Sequence, residues 1–403
     1  MAITKIDITM LEDVTGANNL VKLDANAKIP ACSGASLSVK PGPTKSASDP
    51  AVDSNKSLGA EWLNTTDGEM FICTDATAGA NVWTNVGAGT GDIIPFHSWG
   101  ENYGYAAGGY DNPTTGPGMN TIQKYSFTSN ANATDVADLT QARKYPGGMS
   151  STTHGYTTGG GIGGTTAQNI IDKFPFASAS NATDVGDMVA DNFLHGSNQS
   201  STYGYASGGC DDSNTPSYNT IQKFSFTTDG NATDIGDITD TRSRGGGSSS
   251  ATHGYTAGGV FVPGWTYKDR IDKFSFTTDG DATDVGNLTS GGAAMLGSST
   301  QSSTYGYCFG REEGYPGTTA GFLRCDKYSF ASDGNTTAVG NISVSRTLGS
   351  GTSSTSYGYF AGGTNDFSNF SNVIDRVSFS TDGNSTDVGN LLAESASSSG
   401  NQY

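Results

Sequence analysis

The chain of 403 residues has few basic residues, few charged residues of any sign, few cysteines and no long apolar run. Each shortage excludes a class. With 21 Lys+Arg against 39 Asp+Glu the net charge is −18. An acidic surface repels phosphate, so nucleic acid and anionic membrane are not expected partners. The acidic excess falls on both parts of the chain, 6 against 11 in residues 1–95 and 15 against 28 in the remainder. No stretch approaches the roughly 18 apolar residues of a membrane span. Residues 1–14 (MAITKIDITMLEDV) lack the basic start and apolar run of a signal peptide. Neither membrane insertion nor a secretory route is therefore expected. Five cysteines (Cys32, Cys73, Cys210, Cys308, Cys325) are scattered, odd in number and without CxxC spacing. That argues against zinc and against a disulfide scaffold. For Cys308 and Cys325 two readings stay open, a disulfide between neighbouring strands of one repeat or two small buried side chains. No stretch rich in Ala, Glu, Lys, Leu and Arg suggests an extended helix.

What the chain has instead is glycine, 57 residues, about twice the usual share, with abundant Ser and Thr. Such a composition favours short strands joined by turns. Its 4 Trp, 18 Tyr and 18 Phe recur in register. Gly-Tyr stands at 104–105, 155–156, 204–205, 254–255, 306–307 and 358–359, at spacings of 51, 49, 50, 52 and 52. Downstream of each comes a basic-aromatic block: KYSF (124–127), KFPF (173–176), KFSF (223–226), KFSF (273–276), KYSF (327–330) and RVSF (376–379). A Thr-Asp-Val-Gly-Asp-like block follows, as in TDVGD (183–187) and TDIGD (233–237). In the fourth copy this pattern predicts four strands, at 246–252, 254–259, 270–276 and 282–288. Asp279-Gly280 suits a two-residue hairpin turn, which would set Phe274 opposite Val285.

Units of about 50 residues that cannot bury their own faces point to radial stacking. The fold expected is all-β: a six-bladed propeller over residues 96–403, preceded by a small β-rich N-terminal attachment region. The chain ends SASSSGNQY, in the same phase as GSSSATHGY (247–255). Residues 395–402 are therefore expected to supply the inner strand of the blade at 103–140 and to close the ring. In the N-terminal part, residues 1–56 read as an extended arm held by partners, with a Ser/Pro/Lys-rich linker at 33–57. Residues 57–95 read as a small β module anchored by Trp62 and Trp83.

Candidate chemistry is sparse. His154 and His253 alternate with Tyr203, Tyr305 and Tyr357 at one repeat position, which is how a space-filling residue behaves. His97 and His195 have no nucleophile or paired carboxylate at recognisable spacing. No catalytic residue, cofactor or metal set is therefore assigned. The turn Asp229–Asp234 resembles a calcium loop but lacks alternating ligands and a terminal Glu. The NAT triplets (132–134, 181–183, 231–233) match a glycosylation sequon and read as hairpin residues. Lys124, Lys173, Lys223, Lys273, Lys327 and Arg376 form a basic ring by symmetry, expected to pair with acids such as Asp272 or Asp284.

The segments between the Gly-Gly strand and the aromatic strand differ from copy to copy while the blades repeat. Divergence on a constant frame is how scaffolds carry binding. On a four-stranded blade these loops emerge on one face, together with the blade-to-blade connections. They offer the aromatics Tyr218, Trp265, Tyr267, Tyr315, Phe367 and Phe370, and the acids Asp211, Asp212, Glu312 and Glu313. Rings stack on sugar faces and carboxylates accept hydrogen bonds from hydroxyls, so a cell-surface glycan suits them.

Two resemblances run along the chain. The motif order, with Arg143, Arg244 and Arg346 ahead of inner strands, resembles the kelch repeat, without the outer-strand Trp that many kelch blades carry. NNLVKLDANAKIPA (18–31) resembles a segment of phage tail-fibre and collar proteins. EWLNTTDGEMFI…ANVWTNVG (61–87) resembles a β module of tail fibres in marine phages, which also carry GYTAGG…IDKFSFTTDGNATDVGDLT repeats. Together they imply a non-enzymatic virion protein, a tail fibre or appendage assembled in the host cytoplasm. They also imply an N-terminal region docked to other tail proteins, a homotrimer, and a propeller that binds a host-surface glycan or protein. The alternatives are a tail or head decoration protein that contacts only virion proteins, and a propeller glycosidase or lyase. A cytosolic kelch adaptor would need a partner domain that residues 1–95 do not resemble.

Overall fold

The computed structural model describes residues 42–86, 97–111, 118–163, 166–211, 217–262, 264–289, 299–310, 323–365 and 369–403. Every regular element among them is a β-strand. The chain divides into two compact units, Met1–Pro95 and Phe96–Tyr403.

In the first unit one four-stranded sheet runs Thr44–Ser46, Glu61–Asn64, Met70–Asp75 and Val82–Asn85, in that order. Phe71, Cys73 and Trp83 are buried, and Trp62 packs edge-on against Trp83 with ring centroids 5.8 Å apart. Each indole N–H finds a carbonyl in the segment read as arm: Trp62 donates to Ser48 O at 2.8 Å and Trp83 to Ala51 O at 3.2 Å. That segment therefore belongs to the module. Its first strand, Thr44–Ser46, pairs parallel with Glu61–Asn64, so the sheet begins well before residue 57. A parallel partner delivered by a long connection leaves no hairpin signal, and a Pro/Ser-rich sequence hides it.

The second unit contains six four-stranded antiparallel sheets. Their first strands are Ser399–Gln402, Gly147–Ser150, Gly196–Gln199, Gly246–Ser249, Ser299–Gln301 and Ser350–Ser353. Those strands neighbour one another in that order, and the last neighbours the first. Ser399–Gln402 pairs with Tyr103–Ala107, so the two ends of the unit meet in one sheet. Small residues are required where first strands meet. A Cβ added at Gly247 would lie 2.1 Å from Ser197 O, and one at Gly351 would lie 2.0 Å from Ser299 O.

In the fourth sheet the strands are Gly246–Ser249, His253–Ala257, Arg270–Ser275 and Thr283–Asn287. The Gly-Tyr motif has a physical reason here. Gly254 lies opposite Phe274, and its missing Cβ would sit 2.3 Å from the Phe274 ring. The adjacent Tyr reaches the neighbouring sheet. Tyr205 packs on Phe274 and Phe276 at 5.5 and 4.8 Å, Tyr255 on Tyr328 and Phe330, and Tyr359 on Tyr125 and Phe127. Burying each such ring is worth about 1.5–3 kcal/mol, and the pairing adds about 0.5–1.5.

Polar clips complete the sheet-to-sheet contacts. Arg143 pairs with Asp172, Arg242 with Asp272 and Arg346 with Asp375, every side chain essentially buried. In the fourth sheet the Arg doing this is therefore Arg242, not Arg244. The NAT asparagines are turn residues that also bridge sheets: Asn181 Oδ1 accepts from Asp138 N at 3.1 Å and Asn231 Oδ1 from Asp187 N at 3.0 Å. Two further expectations fail. The third and fourth strands are joined by seven residues, 276–282, not by a two-residue turn. A register shift at Ile271/Asp272 leaves Val285 without a strand partner, so Phe274 does not face it. Cys308 lies opposite Asp326 and Cys325 opposite Phe309, a one-residue offset that sends the two thiols to opposite faces. Both are buried and neither is in a disulfide.

Candidate functional site

First strands run along the axis of the six-sheet unit, and its two ends are built differently. At the start of each strand the incoming connection places a non-glycine residue at positive φ: Tyr145 (58°), Leu194 (61°), Arg244 (66°), Leu348 (62°) and Ser397 (55°). The equivalent stretch of the fifth sheet lies outside the described residues. These residues are joined through their backbones: Tyr145 N donates to Ser397 O, Leu194 N to Tyr145 O, Arg244 N to Leu194 O and Ser397 N to Leu348 O. The result is a rim around an axial cavity of about 760 Å³ including its open mouth, lined by Tyr145, Leu194, His195, Leu348 and the small residues of the first strands.

At the other end of the strands Ser and Gln alternate: Ser150, Gln199, Ser249, Gln301, Ser353 and Gln402. Gln199 Nε2 donates to Ser98 O at 3.1 Å, Gln301 Nε2 at 2.6 Å, and Gln402 Nε2 also reaches it. Neighbours in the ring bond to one another, as in Gln199 N to Ser249 Oγ at 2.9 Å and Ser353 N to Gln402 Oε1 at 2.8 Å. Ser98 thus sits across that end of the axis, held by three glutamines. Nothing in the sequence announced this, because the alternation has a period of two repeats.

The described residues at the start of several connections between second and third strands lie beside the rim. Isolated bridges tie them to the incoming connections: Phe193 to Cys210, Ser243 to Val260, Thr347 to Thr364 and Tyr110 to Ala396. Tyr110, Phe193, Cys210, Val260, Val262 and Leu348 bury one another there as a second apolar cluster. Expected site residues fall into three groups. Trp265 is 46 % exposed and sits at positive φ. Tyr267 and Phe370 are half-buried and pack against the cluster, Phe370 meeting Tyr110 at 5.3 Å. Tyr218 and Asp211 are half-buried. Asp212, Glu312, Glu313, Tyr315 and Phe367 lie outside the described residues. Among the described residues the loop face holds a packed apolar layer with Trp265 exposed on its surface.

Two cations also stand there that sequence reasoning did not assign to a site. The Arg244 guanidinium lies over Trp265, 4.7 Å from the ring centroid, and Lys144 Nζ lies 5.1 Å from the Tyr110 centroid. Burial lowers the pKa of both. The one available signal was the doublet TRSRGG (241–246), whose second Arg replaces a Tyr, Leu or Ser of other copies.

The remaining candidates are occupied structurally. Lys173, Lys223, Lys273 and Lys327 pair with Asp229, Asp279, Asp333 and Asp382, each in the turn of the next sheet. Pairing with acids was expected, but Asp272 is taken by Arg242 and Asp284 lies 3.5 Å from Arg270. Asp229 of the calcium-like turn is held by Lys173, and Asp234 Oδ1 accepts from Gly236 N. His154 and His253 share hydrogen bonds with Thr153 and Thr252, and His195 is buried against Thr158 and Gly196. Burial lowers the pKa of all three, which favours the neutral form. In the first unit Asp49, Asp67 and Glu69 converge, with Asn64 Nδ2 donating to both aspartates at 2.8 Å.

No known protein family and no curated protein matches the chain.

Proposed function

We propose that residues Phe96–Tyr403 form a six-bladed, kelch-like β-propeller, and that the chain is a phage tail fibre or appendage protein that presents this propeller to the host surface. It acts by binding, not by turnover. The host ligand is a surface glycan or protein, and the N-terminal unit docks to other tail proteins, as a homotrimer.

The observation that carries this reading is the difference between the two ends of the axis. One end has Ser98 across it and is surrounded by near-identical turns whose Asp and Asn groups are committed to neighbouring sheets. The other end is surrounded by connections that share almost no sequence and carry Trp265, Arg244 and Lys144. Weak binding by single copies becomes firm attachment through multivalency on a particle.

Adsorption tests the reading. Trp265→Ala removes an exposed ring whose loss leaves the apolar cluster intact, so the fold should persist while particles adsorb less well to host cells. Unchanged adsorption by a folded variant would favour the alternative, a decoration protein whose loop face contacts other virion components.

A further inference from the structure

The charge pattern of the loop face departs from that of the rest of the unit. Three arginines (Arg143, Arg242, Arg346) are buried, and each has its aspartate. Arg270 and Arg324 pair with Asp240 and Asp326. Arg244 has none. No carboxylate among the described residues lies within ion-pair reach of its guanidinium, none of the side-chain N–H groups donates a hydrogen bond among them, and Nε is sealed from solvent without a partner. The groups it senses are Cys210, Tyr145, Tyr267 and Tyr110. In a chain of net charge −18, a half-buried guanidinium with its Nε sealed from solvent, set over a tryptophan and within electrostatic reach of three tyrosines, is an exception. Leaving a desolvated charged donor unpaired costs free energy that a bound anion would recover.

Two independent observations locate the missing anion on the loop face. Lys144, 5 % exposed, is a second cation in no ion pair among the described residues; it lies over Tyr110, and Tyr110 in turn senses Arg244. The acid that Lys144 senses is Asp111, at a distance too long to pair. Trp265 covers the guanidinium with one part of its ring and remains 46 % exposed with the rest. A planar fork of donors beside an accessible indole matches a carboxylate borne on a pyranose: the fork takes the carboxylate and the ring takes the sugar's apolar face.

We propose that the loop face carries an acidic-sugar subsite, in which Arg244 receives the carboxylate of a uronic-acid-type residue, Trp265 stacks on its ring and Lys144 supports the negative charge across Tyr110. This rests on the host-surface reading above and narrows its ligand class to carboxylated glycans.

Calorimetric titration of the full chain with methyl β-glucuronide and with methyl β-glucoside tests it, since the two differ only in the carboxylate. The glucuronide should bind at least about tenfold more tightly, the effect of a charge-assisted hydrogen-bonded contact. Arg244→Gln should bring the two within about threefold of each other. Trp265→Ala should weaken both and leave their ratio unchanged. Equal binding by the wild type, a preference that survives Arg244→Gln, or no binding of either sugar would overturn the proposal. If Arg244→Gln does not fold, the wild-type preference and the unchanged ratio in Trp265→Ala decide alone. Adsorption of Trp265→Ala particles is read separately. Loss of adsorption with no glucuronide preference sinks the acidic subsite and leaves the host-surface reading standing, whereas unchanged adsorption counts against that reading.

Discussion

Replacing Asp272 by Ala should destabilise the six-sheet unit far more than any surface charge change, and the size follows from its surroundings. Asp272 is 0 % exposed and accepts from Arg242 Nη2 at 2.8 Å, Thr239 N at 2.9 Å and Thr239 Oγ1 at 2.7 Å. Arg242 and Thr239 belong to the connection leaving the third sheet, and Asp272 to the fourth, so one carboxylate ties two sheets. Its removal strands a buried guanidinium whose Nε and Nη1 already lack partners. Breaking a buried pair from one side costs about 3–5 kcal/mol. At about 2 °C per kcal/mol for a large domain, the main calorimetric transition should fall by roughly 6–10 °C. The double variant Arg242→Met/Asp272→Leu should recover most of this loss, because it leaves no uncompensated charge. As control, Asp284→Asn weakens a half-exposed 3.5 Å contact with Arg270 and should cost no more than about 1 kcal/mol. An Asp272→Ala shift below about 2 °C, or a double variant no better than the single, would refute the reasoning.

Two further outcomes are expected from the first strands and the histidine beside them. Gly351→Ala would set a methyl 2.0 Å from Ser299 O and should cost about 1–3 kcal/mol in urea unfolding, whereas Gly161→Ala, whose nearest atom is 3.6 Å away, should be close to neutral. Burial depresses the His195 pKa, so below about 6.5 the unfolded chain binds the proton that the folded chain refuses. Stability should therefore be full above that pH and fall as pH drops through it, by up to about 1.4 kcal/mol per unit for this group; His195→Gln should flatten the fall, and an unchanged slope would contradict the assignment.

Much of the frame was legible because it repeats. Period-two aromatics, Gly-Tyr and the phase of residues 395–403 marked four strands per copy and the final pairing, and the reason is local: Gly254 is small because Phe274 covers it. Errors arose where the deciding partner is distant in sequence. Lys223 meets Asp279, 56 residues on, and no local pattern separates that partner from Asp272. In TRSRGG, strand periodicity does not reach an irregular connection, so the kelch-like motif order picks Arg244 where the structure uses Arg242. The layer formed by Tyr110, Cys210, Val260 and Leu348 was invisible for a related reason, since its members come from connections with no common motif.

The most direct test of the proposed role is where the protein sits in a particle. Immunogold electron microscopy would use intact virions from the genome that encodes this chain, labelled with an antibody raised against residues 264–269. Label at the distal ends of tail appendages is the expected result, with the loop face outward and accessible. Particles that carry the protein but bind the antibody only after disruption, or particles that lack it altogether, would contradict the claim.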